Sequence, residues 1–399
     1  MNFKIVTTVI CFCCFSSISA AELIDSVVLT NEARRFVGIS LNSGKILKTN
    51  DFIKKADTEV DFSSLSVKYG YRFPRHSRFD RLFGMPYLGL GVNVALLGEH
   101  DRLGVPFTVF LFQGAKLFGI TERLWVNYEW NLGLSFNWKC YDPFVNPDNI
   151  AIGSPANVYV GFMPHLHWVA SENFDLKLGF GMEHFSNGAM RYPNRGLNLW
   201  APFVEANYVF GKAKSLKQPL NLHPKTERRL RVDYDLIFTL SSRQVEFSTK
   251  GTQLPSSYVD HDFRVLGLSF APLIVPNERI KYGISIDGVY DESSCATATR
   301  EYNPADGGYH DRVVLGRFAD RWSLGTSIKG KIAMPYYSIF ANFGYNWFSG
   351  NDKDHRIYQI IGIELPFTPQ LFGTFGIRST HFSKASFFYW SLGYCFGGK

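Results

Sequence analysis

The chain has 399 residues and a formal net charge of +7, and aromatic residues make up 16% of it. This modest charge fits contact with anionic lipid better than with nucleic acid, although plain solubility explains it equally well. After the N-terminal segment there is no run of about 18 apolar residues, which excludes a membrane-spanning helix. The three cysteines beyond that segment are widely spaced, which argues against a disulfide framework and a cysteine-based metal site.

The first residues have the three parts of a secretory signal. Lys4 supplies the positive charge, residues 5–18 form the apolar core, and Ser-Ile-Ser-Ala at 17–20 offers a small-residue cleavage site. We therefore predict that residues 1–20 are a signal peptide and that the chain is exported.

Beyond the signal, apolar and polar residues alternate along short segments. In residues 123–138 the even positions from Leu124 to Trp138 are apolar, and most of the odd ones are polar. Alternation with period two over about ten residues is typical of strands that cross an outer membrane. Export, abundant aromatics and recurring alternation predict an all-β chain that forms an antiparallel outer-membrane β-barrel.

Sixteen such segments occur in two sets of eight, with a polar linker between them. We predict an eight-stranded barrel over 34–212, a linker over 213–228 and a second eight-stranded barrel over 229–399. The first set lies at 35–47, 63–73, 86–97, 106–117, 123–138, 156–169, 174–186 and 199–211. The second lies at 229–245, 262–275, 279–293, 321–334, 336–348, 356–368, 371–383 and 387–396.

One barrel of sixteen strands is the alternative to two of eight. Eight strands leave an interior filled by side chains, whereas about sixteen enclose an aqueous channel. Charged residues at inward positions have partners of opposite sign available to them, which favours two filled barrels. These residues are Arg123, Glu129, Asp175, Lys177 and Glu183.

The end of the seventh strand carries the residues with the most chemistry. His184 and Ser186 share one strand face, because side chains alternate with period two. That face continues an apolar stripe, so in a membrane barrel the pair meets lipid. Asn198 begins the eighth strand with the same outward parity and can return to the same place. The stripe consists of Phe174, Leu176, Leu178, Phe180 and Met182.

This arrangement predicts nucleophilic catalysis of acyl transfer. Ser186 needs a base within hydrogen-bond reach, His184 supplies one, and Asn198 is the third group that orients the ring. Asn187 and Gly188 follow the nucleophile directly, so their N–H groups are the predicted oxyanion donors. No metal or cofactor is required.

These residues resemble the lipid A 3-O-deacylase (PagL) family of outer-membrane esterases. The resemblance rests on His-Phe-Ser-Asn-Gly at 184–188 and Pro-Asn-Arg-Gly-Leu-Asn at 193–198, and covers about 34–211. It implies that Ser186 is the nucleophile and His184 the base, that Asn187 contributes to the oxyanion hole, and that lipid A in the outer leaflet is the partner.

The chain departs from this family at Asn198, where the family typically has an acid. A His/Ser/Asn set also resembles outer-membrane phospholipase A, which uses a larger barrel. The Pro-Asn-x-Gly loop and the strand count favour the deacylase, and the asparagine favours the phospholipase. A non-catalytic porin or structural barrel, in which the His-x-Ser pair is incidental, is the alternative from another functional class.

The second half repeats the His-x-Ser spacing in His381 and Ser383. We expect these residues to face outward, as in the first half. Lys384 replaces the asparagine, however, and too few residues follow Ser383 to return a third member. We therefore expect a degenerate copy without an active site. The oligomeric state is not predicted by the sequence.

Overall fold

The computed structural model describes residues 34–55, 61–72, 82–211, 228–350, 356–382 and 384–397, and these residues are almost entirely β-strand. Two four-residue helices occur among them, α1 (Asp51–Lys54) and α2 (His100–Leu103), with one 3₁₀ turn at Phe318–Arg321. In the part of the chain that is described, no helix is long and apolar enough to cross a membrane. The predicted signal peptide and most of the predicted linker lie outside the described residues.

Nine strands form the first barrel, and the sixth spanning strand of the prediction is split into two of them. They are β1 (Arg34–Ile46), β2 (Asp61–Arg72), β3 (Tyr87–Leu97), β4 (Gly104–Gly119), β5 (Leu124–Trp138), β6 (Asn157–Phe162), β7 (His165–Val169), β8 (Phe174–Ser186) and β9 (Leu197–Val209).

Every strand of this barrel pairs antiparallel with both of its neighbours. The strand β1 pairs with β2 and β9, and β4 pairs with β5, so the sheet closes on itself. Both β6 and β7 lie between β5 and β8. The break between them falls at Met163 and Pro164, because proline has no N–H to donate to the ladder. Eight spanning strands result.

A second closed barrel is formed by the C-terminal half. Its strands are β10 (Arg228–Arg243), β11 (Phe263–Asn277), β12 (Ile280–Asp291), β15 (Trp322–Ala333), β16 (Ser338–Ser349), β17 (Ile357–Pro366), β18 (Leu371–Thr380) and β19 (Lys384–Phe396). An additional hairpin, β13 (Thr297–Asn303) with β14 (Gly308–Val314), projects between β12 and β15. The sequence analysis did not predict this hairpin.

The outward faces of the strands are apolar and open. Leu41 is 62% exposed and Leu178 is 57% exposed, and many outward leucines, valines and aromatic residues are exposed to a similar extent. A soluble protein rarely leaves so large a continuous apolar surface uncovered, whereas a membrane barrel presents it to lipid. The chain is therefore an all-β protein of two eight-stranded barrels of the outer-membrane type.

Four charged side chains form a closed ring inside the first barrel. Lys68 Nζ lies 2.5 Å from Glu129 and 2.7 Å from Glu205. Lys177 Nζ lies 3.0 Å from Glu129 and 2.7 Å from Glu205. All four are buried, and the Tyr87 hydroxyl donates to Glu129 over 3.0 Å. Charges alternate around the ring, so each buried ion faces two partners of opposite sign.

The other predicted lumen charges find different partners. Asp175 pairs with Arg72 and with His167, and the Asn42 amide donates to Glu183 over 3.0 Å. Arg123 was predicted to face the lumen, and this was wrong. It lies exposed in the turn before β5, because the strand begins one residue later.

The interior of the second barrel is filled in a similar way. Lys331 pairs with Glu364 over 2.5 Å and also with Asp235. Asp287 accepts hydrogen bonds from Ser327 over 2.8 Å and from Tyr358 over 2.5 Å. Two separate closures with filled interiors exclude the alternative of one sixteen-stranded barrel.

The two ends of each barrel differ in the length of their connections. Most connections at one end are short turns, at 120–123, 170–173, 278–279, 334–337 and 367–370, with a longer one at 73–86. The longest loops lie at the other end, at 139–156, 187–196, 244–262 and 292–321, where the connection at 381–383 is short. In outer-membrane barrels the short turns are periplasmic and the long loops extracellular. By that rule the end of β8 lies at the outer surface.

The buried ring of charges in the first barrel leads to a prediction about stability. The substitution Lys177→Met leaves Glu129 and Glu205 to share Lys68, so we expect the free energy of unfolding to fall by about 3–5 kcal/mol. Thermal unfolding in detergent, followed by heat-modified mobility on gels, measures it. The exposed pair of Lys54 with Asp51 supplies the control, since Lys54→Met should change nothing measurable. Equal behaviour of the two variants would contradict a structural role for the ring.

Candidate active site

The strand β8 presents His184 and Ser186 on its outward face. Met182, two residues earlier on the same face, is 50% exposed, whereas Glu183 and Phe185 are buried inside the barrel. The imidazole and the hydroxyl are themselves half-buried. His184 and Ser186 therefore point outward, as their position in the alternation predicted. The pair lies on the membrane-facing surface, at the end of the barrel that carries the long loops.

The register between β8 and β9 places Asn198 directly opposite His184. Asn198 Oδ1 lies 2.7 Å from His184 Nδ1. An amide oxygen only accepts, so Nδ1 carries the proton in this pair and Nε2 is left with its lone pair. The histidine is thus held in the tautomer that a general base requires.

A residue that the sequence analysis did not consider orients the asparagine. Thr49, in the loop after β1, accepts a hydrogen bond from Asn198 Nδ2 over 3.0 Å. With its nitrogen bound to threonine, the amide turns its oxygen toward the imidazole. Thr49 is distant in sequence and has no motif spacing, so only the pairing of β1 with β9 could have indicated it.

Gly196 supports the other side of the imidazole. Its φ is +69°, and a Cβ at this position would lie 2.9 Å from His184 Cε1. Its carbonyl accepts a hydrogen bond from Asn50 Nδ2 over 2.9 Å, and Asn50 also caps helix α1. Any side chain at 196 would displace the ring, so the glycine of the Pro-Asn-x-Gly segment is required by close approach.

The Ser186 hydroxyl lies beside the start of the loop. Its Oγ accepts from the Gly188 N–H over 3.2 Å, and Gly188 has a φ of +60°. Among the described residues, the hydroxyl pairs with this N–H and not with the His184 ring. Catalytic hydrogen bonds are often unformed in the free enzyme. The Gly188 N–H therefore lies within hydrogen-bond distance of the hydroxyl.

Asn187 follows Ser186 directly and carries further N–H groups. Its backbone N–H donates to Asn194 Oδ1 over 3.1 Å and is thus occupied. Its side-chain oxygen accepts from the Arg191 N–H over 3.2 Å, which fixes the amide orientation. Its Nδ2 is buried, and no residue that the structure describes accepts a hydrogen bond from it. A buried donor without a partner is costly unless a ligand uses it.

The copy in the second barrel has a different local structure. The strand β18 ends at Thr380, which pairs with Lys384 across a tight turn. His381 and Phe382 lie in that turn with φ values of +51° and +57°, and His381 is exposed. The prediction that His381 faces outward from a strand was wrong, because the chain reverses before reaching it. Ser383 lies outside the described residues.

Comparison with known protein families gives one match. Residues 232–398, which span almost the whole second barrel, match the family model described as acyloxyacyl hydrolase, C-terminal domain. Over these residues the chain is similar to the acyloxyacyl hydrolase (PagL) family. The resemblance drawn from sequence was to the same family, although it was placed on residues 34–211.

Several solved structures are similar to this chain at low identity. Neisserial surface protein A is 8% identical, with a TM-score of 0.29, covering 45% of this chain and 96% of that one. The siderophore receptor PirA from Acinetobacter baumannii is 11% identical, with a TM-score of 0.24, covering 88% and 56%. Omp33 from Acinetobacter baumannii is 8% identical, with a TM-score of 0.17, covering 92% and 99%. No curated protein matches the sequence.

The hydrogen bond between Asn198 and His184 leads to a prediction about the tautomer of the imidazole. Replacing the amide by an apolar group of similar size, Asn198→Leu, removes the acceptor at Nδ1, so the Nε2-protonated tautomer should gain population. The ¹⁵N chemical shifts of labelled histidine in detergent micelles measure this. Thr49→Ser keeps the hydroxyl that orients Asn198 and should leave the shifts unchanged. Unaltered shifts in Asn198→Leu would mean that another group sets the tautomer.

Proposed function

We propose that this protein is an outer-membrane serine esterase that removes an ester-linked 3-hydroxyacyl chain from lipid A. The observation that carries the proposal is the 2.7 Å contact of Asn198 with His184, two residues from Ser186, on the lipid-facing side of the barrel. An interior site would not reach a lipid, whereas this one adjoins the leaflet in which lipid A lies. The family match of the second barrel agrees with a hydrolase.

The reaction follows from the groups in place. Ser186 Oγ attacks the ester carbonyl carbon while His184 Nε2 takes the hydroxyl proton. The oxyanion is bound by the Gly188 N–H and the Asn187 side-chain N–H. The ester C–O bond then breaks, and His184 returns the proton to the departing sugar oxygen. Water attacks the acyl-enzyme with His184 again taking a proton, the bond between the acyl carbon and Ser186 Oγ breaks, and His184 returns the proton to Oγ as the 3-hydroxy fatty acid leaves.

Asn198 orients the ring without a charge to offset the imidazolium. A carboxylate at this position would make a charge-assisted hydrogen bond, which is roughly twice as strong as a neutral one. We therefore expect slower turnover than a triad with an acid would give. The chain therefore keeps the geometry of such a triad but lacks the negative charge that would stabilise the imidazolium.

A phospholipase is the second candidate, and Asn198 is the observation that favours it. A His/Ser/Asn set serves acyl-ester cleavage on phospholipid as well as on lipid A, because both substrates present an ester at the same depth. The closed eight-stranded first barrel and the Gly196 segment against the ring favour the deacylase. A channel is disfavoured, because both barrel interiors are filled by side chains.

The proposal predicts loss of activity on removal of the nucleophile. Membranes of cells that express the chain should contain lipid A lacking one hydroxyacyl chain, as measured by mass spectrometry. In Ser186→Ala that species should fall by about 10³-fold or more, since the acyl-enzyme is no longer formed. His381→Ala removes the histidine of the second copy and should leave the lipid A pattern unchanged.

Two results would contradict the deacylase. Intact lipid A, together with fatty acid released from phospholipid in a Ser186-dependent manner, would establish the phospholipase in its place. Intact lipid A and intact phospholipid, together with ion conductance in planar bilayers, would establish a channel.

A second prediction concerns the neutral member of the triad. In Asn198→Asp the Thr49 hydroxyl can reverse its hydrogen bond and donate to the new carboxylate. A charge-assisted bond to the imidazolium should raise kcat by about tenfold, the equivalent of about 1.4 kcal/mol in the barrier. Deacylation rates on detergent-dispersed lipopolysaccharide measure this, and Asn198→Ala should fall below the parent chain. A lower rate in Asn198→Asp than in the parent would contradict the triad assignment.

A further inference from the structure

The loop between β8 and β9 rests on the second barrel. Phe388 lies on the outward face of β19, where Leu392 is 46% exposed, yet Phe388 is only 6% exposed. Its ring is covered by Gly188, where a Cβ would approach to 2.5 Å from Phe388 Cζ. An outward position that would meet lipid in a lone barrel is thus closed by the segment next to the nucleophile.

Gln244 makes the polar part of the same contact. It follows the last residue of β10, is 3% exposed, and donates its backbone N–H to the Ala189 carbonyl over 2.9 Å. Its side-chain Oε1 accepts from the Tyr192 N–H over 3.1 Å. One residue of the second barrel therefore bonds the loop backbone at two points, three and six residues after Ser186.

The Gln244 amide is itself fixed by two carboxylates. Its Nε2 donates to Asp260 Oδ1 over 2.8 Å and to Asp262 Oδ1 over 3.2 Å. With both of these acceptors on the nitrogen, the oxygen is the atom that faces Tyr192. The amide orientation therefore follows from the two carboxylates beside it.

Exposed contacts surround this buried centre. The rings of Tyr192 and Tyr258 stack with centroids 6.3 Å apart, and Tyr258 also lies 5.4 Å from the Tyr141 ring. Arg195 pairs with Glu246 over 3.6 Å. Exposed ion pairs add little stability. The Arg195–Glu246 pair therefore adds little, and the buried contacts of Gln244 and Phe388 are the ones shielded from water.

Catalysis needs this loop in one conformation. The Gly188 N–H and the Asn187 amide are useful only at hydrogen-bond distance from the developing oxyanion, and a displacement of 1 Å is enough to reduce the rate strongly. Between β8 and β9 the loop has no regular structure of its own. Hydrogen bonds within the loop order part of it, and the surface on which it packs adds further order.

We propose that the second barrel is an intramolecular scaffold that holds the oxyanion segment of the first, with Gln244 as the principal positioning residue. The inference rests on the proposed function in taking Ser186 as the nucleophile. It gives the second copy a role that needs no active site. Gln244 acts through the loop backbone and touches no substrate.

The test uses the full-length chain with Gln244→Leu, which keeps the side-chain size and removes all three side-chain hydrogen bonds. We expect kcat for deacylation to fall by roughly 10- to 100-fold with KM little changed, because lipid binding does not involve Gln244. The Tyr192 amide should also exchange its hydrogen faster. Gln113→Leu is the matched control, since Gln113 accepts a hydrogen bond from Tyr337 of the second barrel over 3.1 Å, away from the site.

A rescue variant separates positioning from general damage. Gln244→Glu places a third carboxylate beside Asp260 and Asp262 and should reduce kcat as Gln244→Leu does. Adding Asp260→Asn and Asp262→Asn supplies amide donors to the new carboxylate and keeps its oxygen toward Tyr192. This triple variant should recover most of the parent kcat, whereas a merely destabilised loop would gain nothing from it.

Labelling of Ser186 by a fluorophosphonate separates failure of this inference from failure of the proposed function. The label reports nucleophile reactivity and requires no lipid A. Slower labelling and faster exchange in Gln244→Leu support the scaffold even if lipid A proves not to be the substrate. Labelling, exchange and kcat equal to those of Gln113→Leu would overturn it. If the parent chain does not label, the proposed nucleophile is wrong, and loop exchange alone then decides whether the barrel supports the loop.

Discussion

An eight-stranded barrel has an interior just wide enough for its own side chains, and this constraint decides where chemistry can take place. In the first barrel the interior is occupied by the ring of Lys68, Glu129, Lys177 and Glu205, whose charges cancel one another. No room is left there for a substrate. Reactive groups can therefore act only on the outer face or in the loops, and His184 and Ser186 lie where these two regions meet.

The same period-two alternation that fills the interior also places His184, Ser186 and Asn198 outside. Glu183 and Phe185 point inward, so His184 and Ser186 point outward, and the antiparallel register carries Asn198 to the same face. A shift of one residue in the pairing of β8 with β9 would move the asparagine into the barrel. The geometry of the site is thus fixed by strand register, which the buried ring in turn stabilises.

Much of this could be read from the sequence, because alternation is a local signal. All sixteen spanning strands and the outward parity of His184 were predicted from it. Features that depend on contacts between distant segments were not predicted. Thr49 and Gln244 carry no motif, and their roles exist only because β1 pairs with β9 and because the second barrel packs on the loop after β8.

The predictions for His381 and Arg123 were wrong for physical reasons. The alternation that predicted a strand over 371–383 extends past His381. In the structure His381 and Phe382 both have left-handed backbone conformations, and the chain reverses there. Pattern alone does not detect such a turn, because neither residue is glycine. Arg123 kept inward parity in the sequence, yet the strand begins only at Leu124, so the arginine lies beyond the last rung of the ladder.

The tight reversal at His381 has a consequence for the way the two halves fit together. It lies only a few residues before Phe388, on which the loop of the first half rests. A loop as long as 187–196 at the corresponding place in the second half would compete for the same space. The two repeats can therefore lie side by side because they are unequal. The first repeat has a long loop at this end of the barrel, and the second has a short turn on whose neighbourhood that loop packs.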